Sequence, residues 1–312
     1  MLLTWISQAT FLVLTVLCLI YDQLLLVSVL RKRFTNKSYP YVYITYMVVI
    51  GVYGKPACLS MIDAWPIANF IDPVNGYDTY RNVIGKPMTL AGTHSYLTPV
   101  CLNFLMTINR VWVVLKPFDV RMFSDFRLFI YCGVVWTTVF ISLLIPLLSS
   151  CNLNFDGRIL SFVAACAPDR HPITLFQNKY SIYVPIISMI TNFTIILYIK
   201  WRRRRDTTSS LQKDRENGML RQAAAIACYL SVYELTNLYV RWYPNDYAKI
   251  PEEIRYSIYC VRIFSMCSLN FFVYFIVTKS TRQLVIQLLG LKWTANSRQV
   301  IVNISSTLAQ SH

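Results

Sequence analysis

The sequence predicts an all-α membrane protein, a bundle of seven transmembrane helices with the N-terminus outside the cell and the C-terminus in the cytoplasm. Of the 312 residues, 55% are hydrophobic and only 14% are charged, whereas a soluble domain carries about 25% charged residues. The apolar residues form seven long runs, and Lys and Arg are distributed unevenly between these runs. Backbone polar groups in lipid must be satisfied within the chain, so such runs become helices.

Each run is close to or longer than the ~20 apolar residues that a helix needs to cross a bilayer. The predicted spans cover residues 5–30, 41–64, 87–115, 128–148, 180–199, 219–242 and 254–278. The first run lacks the basic start and the cleavage pattern of a signal peptide, so we expect it to be a retained span. A short amphipathic helix is predicted over 281–291. Residues 1–291 therefore form one membrane domain, and residues 292–312 form a tail that we expect to be disordered.

The basic residues orient these spans. Of the 30 Lys and Arg residues, 20 fall in segments on one side of the predicted membrane, 8 fall in loops on the other side, and Lys55 and Arg262 lie inside spans. The positive-inside rule assigns the richer side to the cytoplasm. An odd number of spans then places the N-terminus outside. The net charge of +15 is thus explained by topology and by contact with the lipid bilayer, and not by nucleic-acid binding.

The sequence lacks the common motifs of catalytic sites. It contains no G-x-S-x-G, H-E-x-x-H or Walker A pattern, and no cysteine spacing typical of a metal site. We therefore predict neither an enzyme nor a metal centre. Two of the nine cysteines, Cys151 and Cys166, fall in the second outer loop, where a disulfide can persist. They can pair with each other, while pairing with Cys58 or Cys260 stays open, since sequence does not settle connectivity.

Two polar residues are predicted to lie at the same depth near the cytoplasmic side. Asp22 and Asn270 are each eight residues from the inner end of their spans, or ~12 Å into the membrane at 1.5 Å per residue. A lone carboxylate there is costly, about 2.5–3.5 kcal/mol on insertion scales. We expect it to face the bundle interior in a polar network of Asp22, Asn270 and Tyr274. The alternative is that these groups only hold helices together.

A second layer of ionisable residues is predicted ~21–24 Å from the inner face, where it would form a ligand site. Its members are Lys55, His94, Glu234 and Arg262. Glu234 can pair with Arg262 or with Lys55, and the remaining positive charge favours an acidic or strongly polar small-molecule ligand. His94 alone can sense protons or be structural. In the alternative interpretation, all four lie in interfacial water and stabilise the bundle.

Arg110 ends span three, and a basic run follows span five directly. The run consists of Arg202, Arg203, Arg204 and Arg205. Such a run fixes topology and binds anionic lipid, at about 1 kcal/mol per residue. The same residues can also form a docking surface for a cytoplasmic partner.

Ordered markers along the spans carry a resemblance. They are Arg110 followed seven residues later by Pro117, Trp136 and Pro146 ten residues apart, Pro185 in span five, and Asn270-Phe271-Phe272-Val273-Tyr274 at the end of span seven. This set resembles the rhodopsin-like G-protein-coupled receptors over the whole chain. The very short N-terminus and the I-N-R-V-W-V-V-L-K-P ending of span three most resemble the nematode serpentine chemoreceptors.

The chain departs from the superfamily pattern at several positions. Asn109 stands in place of the acidic residue before the arginine, Val111 in place of the tyrosine after it, and Phe271 in place of the span-seven proline. Span six has no C-W-x-P, and no cysteine near the start of span three can pair with the second outer loop. The departures at Asn109 and Phe271 put retention of G-protein coupling in question.

The resemblance implies a chemosensory receptor in the plasma membrane, including that of sensory cilia. It would bind a small extracellular ligand among the outer halves of its helices and activate a heterotrimeric G protein through Arg110 and residues 202–205. The resemblance also implies that the network of Asp22, Asn270 and Tyr274 transmits the signal, with a sodium ion near Asp22 as the one candidate cofactor. The alternatives are a transporter or channel that uses the intramembrane charges, and a receptor-like scaffold without G-protein coupling.

Overall fold

The structure of the protein, a computed structural model, describes residues 2–33, 41–116, 122–157, 161–203, 224–226, 228–231, 233–236, 238–240 and 242–290. Its helices, in chain order, are α1 (Leu2–Arg33), α2 (Tyr41–Leu59), α3 (Trp65–Ile71), α4 (Gly76–Tyr80), α5 (Lys86–Leu115), α6 (Asp125–Leu148), α7 (Pro172–Tyr180), α8 (Tyr183–Arg203), α9 (Pro244–Lys249), α10 (Glu252–Cys267), α11 (Leu269–Phe271) and α12 (Lys279–Leu288). Three π-helical turns, Ser60–Ala64, Arg81–Gly85 and Phe272–Val277, connect neighbouring helices. The described residues also include strands β1 (Leu153–Asp156) and β2 (Ser161–Ala164).

The described part of the chain contains five helical stretches that are long and apolar enough to cross a membrane. They are Leu3–Arg31, Tyr41–Ile71, Gly76–Leu115, Asp125–Leu148 and Pro172–Ile199. A sixth candidate is the pair Glu252–Cys267 and Leu269–Val277, which is bent by 50°. The predicted span 219–242 lies partly outside the described residues, although its described residues between 224 and 240 are helical. The chain is therefore a helical membrane protein with five to six spans in the described part.

The second and third spans are longer than their apolar runs. The helix that begins at Tyr41 continues to Ile71, and the next begins at Gly76, although the sequence predicts a loop over 63–86. Only a tight turn separates them, in which Asp72 Oδ1 accepts hydrogen bonds from the backbone N–H groups of Val74 and Asn75, both at 3.0 Å. The extension of the third span carries Asp78, Arg81 and Lys86, so hydropathy alone does not mark residues 76–86 as part of a span.

The main core lies between α1, α2, α5 and the α10–α11 region, with α6 at its edge. Its fully buried members include Leu25, Val48, Leu102 and Tyr274. By contrast, α6 buries only Leu128, Cys132 and Pro146 and leaves large apolar side chains on its outer face. An apolar surface of this kind is suited to lipid and would be a liability in water.

A β-hairpin closes one end of the bundle. β1 and β2 pair antiparallel, with Leu153 opposite Ala164, and the Cys151–Cys166 disulfide joins the ends of the hairpin. Phe155 of β1 is buried and stacks on Tyr259 with ring centroids 5.6 Å apart. We call this the hairpin end, and the opposite end, where α5 finishes, the Arg110 end.

The helix that follows the last span is present as α12, from Lys279 to Leu288, and all but its first two residues lie within the predicted stretch 281–291. Thr281 and Val285 are its buried residues, and it packs against α1 and the preceding π-helical turn. Gly290, with φ of 68°, ends the helix, a conformation that glycine adopts without steric cost. The predicted tail, 292–312, lies outside the described residues.

Candidate functional site

A buried cluster of polar side chains joins α1, α2 and α11. Lys55 Nζ forms an ion pair with Asp22 Oδ2, and the Asn270 amide donates to the same oxygen at 3.0 Å and to the carbonyl oxygen of Met47 at 3.1 Å. Asp22 is fully buried and Lys55 is 3% exposed. We call Asp22, Gly51, Lys55 and Asn270 the Asp22 cluster.

The position of Lys55 differs from the expected outer layer. Side chains on a helix lean toward its N-terminus, and α1 and α2 are antiparallel, as the contacts of Gln8 with Ile62 and of Asp22 with Lys55 indicate. The two side chains therefore lean toward each other along the bundle axis. The backbone rise per residue places the Cα atoms of Asp22 and Lys55 at different depths. The direction of the two side chains and the length of the lysine side chain bring their charged ends into contact.

Gly51 provides the space for this contact. A Cβ atom at Gly51 would lie 2.0 Å from Asp22 Oδ2 and 2.5 Å from Asn270 Nδ2. These distances are too short for any side chain, so the charged groups occupy the volume that a larger residue would need. Sequence reasoning missed this glycine, although its position one turn before Lys55 was a usable signal.

The Asp22 cluster does not fit the sodium ion that the superfamily resemblance implies. Asp22 Oδ2 already accepts from Lys55 Nζ and Asn270 Nδ2, and both of these partners are donors with no free lone pair for a metal. The ammonium also repels a second cation at this distance. Elsewhere among the described residues, no group of three or more His, Cys, Asp or Glu side chains is placed to hold a metal ion.

At the hairpin end, a cavity of about 820 Å³ opens among α5, α6, α7, α10 and the hairpin. This volume is in the range of small-molecule sites. Its wall carries the cations Arg170, Lys179 and Arg262, and the described lining residues include no carboxylate. Its aromatic wall includes Tyr96 and Tyr233, whose ring centroids are 5.0 Å apart. The cavity is thus positively charged at some points and apolar over most of its surface.

Of the four residues predicted for a ligand site, Arg262 lines this cavity. Its guanidinium lies 5.0 Å from the ring centroid of Tyr259, and its Nε is buried without a hydrogen-bond partner among the described residues. Glu234 is buried on the helical segment 233–236 and is not among the described residues of the wall. Lys55 belongs to the Asp22 cluster instead.

His94 packs between helices, away from the large cavity. Its Nδ1 is hydrogen-bonded to the Tyr53 hydroxyl, and its Nε2 lies 3.2 Å from the carbonyl oxygen of Trp136. The imidazole also meets the rings of Trp136 and Phe140 edge-on. Both ring nitrogens are occupied, so His94 ties α2, α5 and α6 together.

Arg110 lies half-buried near the end of α5 and contacts α8. Its Nη1 is 3.4 Å from Asn192 Oδ1, and the Asn192 amide donates to Thr107 Oγ1 at 3.0 Å and to the Ser188 carbonyl at 2.7 Å. Tyr274, the third residue of the predicted network, is fully buried in the main core, and its carbonyl oxygen accepts a hydrogen bond from the Thr281 hydroxyl. Asn192 was missed as a site residue, although an amide inside an apolar run was the signal.

The predicted docking residues beyond Arg110 are only partly described. Arg202 and Arg203 lie in the last turn of α8, and their side chains are outside the described residues. Arg204 and Arg205 lie outside them altogether.

Comparison with known proteins decides the family. A family model described as "Caenorhabditis serpentine receptor-like protein, class xa" matches residues 38–193. The protein "Serpentine receptor class XA 10" of Caenorhabditis elegans is 34% identical over 229 residues, which cover 67% of this chain and 68% of that protein. The chain belongs to the class XA serpentine receptors. The resemblance to nematode serpentine chemoreceptors is thereby confirmed, and this receptor is a transmembrane, G-protein-coupled-receptor-like chemoreceptor from a family of receptors and not of enzymes.

In this class XA receptor, one helix, α5, connects the large cavity with Arg110. The large cavity and Arg110 lie at opposite ends of α5, which contributes Tyr96 to the cavity wall and Arg110 at its other end. The 14 residues between them correspond to about 21 Å along the helix. The Asp22 cluster lies in the bundle interior between the two ends.

Proposed function

We propose that this receptor spans the membrane seven times, with its N-terminus outside and its C-terminus in the cytoplasm, and binds a small organic anion in the cavity at the hairpin end. The observation that carries the proposal is a cavity of about 820 Å³ whose described wall has three cations and no carboxylate. Supporting the orientation, 20 of the 30 Lys and Arg residues fall on the proposed cytoplasmic side.

The chemistry of the wall favours an anion with an apolar body. Arg262 presents a planar fork of donors suited to a carboxylate, sulfate or phosphate, and Tyr96, Tyr233 and Met266 offer apolar contact. Arg170 and Lys179 are exposed, whereas Arg262 is partly buried. A neutral ligand would cover the Arg262 guanidinium with no carboxylate among the described wall residues. An anion therefore gains from a site whose cationic side chains are already in place.

Signal transfer is proposed to run from the cavity to the Arg110 end. A ligand shifts a receptor toward an active arrangement only if it binds that arrangement more tightly. In that arrangement, Arg110 would leave Asn192 and contact a heterotrimeric G protein, with residues 202–205 contributing positive charge to the docking surface. The contact at 3.4 Å between Arg110 and Asn192 involves a neutral amide, so it is weaker than the carboxylate tether of the superfamily pattern.

The test is a screen of organic acids and their neutral esters or alcohols in cells that express the receptor with a G-protein readout. We expect acids to be selected, and Arg262→Gln to raise the half-maximal concentration by tenfold or more, since a charge-assisted hydrogen bond contributes about 1.5–3 kcal/mol. Lys249→Gln is the matched control because Lys249 is exposed and pairs with Asp246 at 2.9 Å. Selection of neutral ligands, or equal effects of both variants, would contradict an anionic ligand.

Arg110→Ala tests the coupling step in the same cells. We expect ligand binding to be kept and G-protein activation to be lost, whereas Lys116→Ala, whose cation lies over Trp112 at 4.7 Å, should keep both. A full response from Arg110→Ala would favour the scaffold interpretation. A ligand-evoked current or substrate flux that needs no G protein would favour a transporter or channel.

A further inference from the structure

We propose that Lys55 is a permanent internal cation, which occupies the Asp22 carboxylate in the place where a free metal ion would otherwise bind. The receptor then needs no sodium in its interior, and sodium has no site-specific effect on it. This inference goes beyond the proposed function, because it holds whatever the ligand or the cytoplasmic partner is.

The contacts support a site built for one monovalent cation. The Asp22 carboxyl group is fully buried, and it forms an ion pair with Lys55 Nζ. Asn270 donates to the same carboxylate oxygen, while Asp22 Oδ1 has no hydrogen-bond partner within the described residues. Removing the ammonium would therefore expose a buried carboxylate with a free oxygen, which is what a small cation needs.

The space around Lys55 supports the same inference. A cavity of about 30 Å³ lies against Gly51, Gly54, Lys55 and Asn270, and this is about the volume of one water molecule. The side chain of Lys55→Met ends one heavy atom short of Nζ, so the place of the ammonium, together with this space and the carboxylate, would be open to a small cation. The ammonium of Lys55 is covalently tethered and cannot exchange with solvent, whereas a sodium ion there could.

The ammonium of Lys55 lies next to the large cavity at the hairpin end. Cys58, Ser95 and Met266 line both the small cavity beside Lys55 and the large cavity at the hairpin end. One layer of side chains thus separates the two spaces. A cation that cannot leave keeps the charge of this layer constant when the salt concentration changes.

The experiment measures the melting temperature of the full-length receptor in lipid nanodiscs, in sodium chloride and in choline chloride at equal ionic strength. We expect the wild type to melt at the same temperature in both salts. Lys55→Met should gain a rise of about 2–4 °C in sodium chloride, the effect of a ligand that binds only the folded state. The double variant Asp22→Asn/Lys55→Met is the control, and it should show no rise because it lacks the carboxylate.

Two results would overturn the proposal. One is sodium-specific stabilisation of the wild type that disappears in Asp22→Asn, because Lys55 would then not exclude the ion. The other is a folded Lys55→Met receptor that melts equally in both salts. If Lys55→Met does not fold, Lys55→Ala is purified with n-propylammonium, the fragment that this substitution removes. Recovery of the melting temperature by propylammonium and not by propanol supports the proposal, and equal failure of both contradicts it.

Discussion

Gly51 sets how closely the charged side chains of α1 and α2 approach each other. Its missing side chain leaves room for Asp22 Oδ2 and Asn270 Nδ2, which lie 2.0 and 2.5 Å from the position that the methyl carbon of an alanine would occupy. Neither polar group can retreat easily, since each already has a buried partner. Even a methyl group at Gly51 would therefore disturb the contacts that join α1, α2 and α11.

Gly51→Ala should lower the free energy of unfolding by about 1–3 kcal/mol, the usual cost of overpacking. The added methyl group must displace Asp22 or Asn270 and so lengthen their hydrogen bond. Thermal melting of the purified receptor measures the effect. Val49→Ala on the same helix is the control, because Val49 is 41% exposed on the outer face. A Gly51→Ala receptor as stable as the Val49→Ala receptor would show that the cluster is loosely packed.

For individual residues, the sequence predicted which polar side chains are buried in the bundle better than it predicted which side chains they contact. Equal residue counts from the ends of two spans predicted that Asp22 and Asn270 lie at one depth, and the structure brings them to 3.0 Å. Lys55 was assigned to another layer because the count follows the backbone and ignores the direction of the side chain. Asn192 was not predicted, since its partners lie on another helix and only the packing of α5 against α8 reveals them.

The hairpin is held to the bundle by hydrogen bonds to α5 and to the π-helical turn Arg81–Gly85 that precedes it. Thr89 Oγ1 donates to Asn154 Oδ1 at 3.2 Å and accepts from the Phe155 N–H at 3.0 Å, and Asn154 Nδ2 donates to the Arg81 carbonyl at 2.9 Å. The Cys151–Cys166 disulfide closes the hairpin on itself. These hydrogen bonds attach the loop at the start of α5, where this chain has no cysteine to form a covalent tether.

Thr89→Val should destabilise the receptor by about 1–3 kcal/mol, because it keeps the shape of the side chain and leaves the buried Phe155 N–H without a partner. The β1 amides of this variant should also exchange their hydrogens faster than those of the wild type. Thr194→Val is the matched control, since the Thr194 hydroxyl is exposed and bonds only within its own helix, to the Ile190 carbonyl at 2.9 Å. Unchanged exchange at Phe155 would mean that the hairpin is held by packing alone.

Elements that face lipid were predictable, and elements outside it were not. The apolar runs located the long helices because lipid imposes a helix on any such run. The extension of the second span to Ile71 and the start of the third at Gly76 depend on tertiary contacts such as the hydrogen bond from the Tyr80 hydroxyl to the Ser60 carbonyl. The hairpin has strands of only four residues each, the shortest length at which alternation of apolar and polar residues indicates a strand.

The whole molecule is proposed to have its hairpin end outside the cell. A tag at the N-terminus should then be detected by antibody on intact cells, and a tag at the C-terminus only after permeabilisation. An antibody to a cytosolic protein checks that the cells are intact. Detection of the C-terminal tag on intact cells would contradict either the orientation or the odd number of spans. The charge distribution predicts the orientation from sequence, whereas the number of spans depends on residues 219–242.

The pairing of Asp22 with Lys55 also constrains how such a chain can change over generations. Losing either partner alone leaves one unpaired charge in a position that lipid and neighbouring helices keep dry, at a cost of several kcal/mol. Losing both leaves two neutral residues and a stable bundle. The two positions, 33 residues apart, are therefore expected to be substituted together. A descendant that loses the ion pair must change both residues or pass through an unstable receptor with one of them.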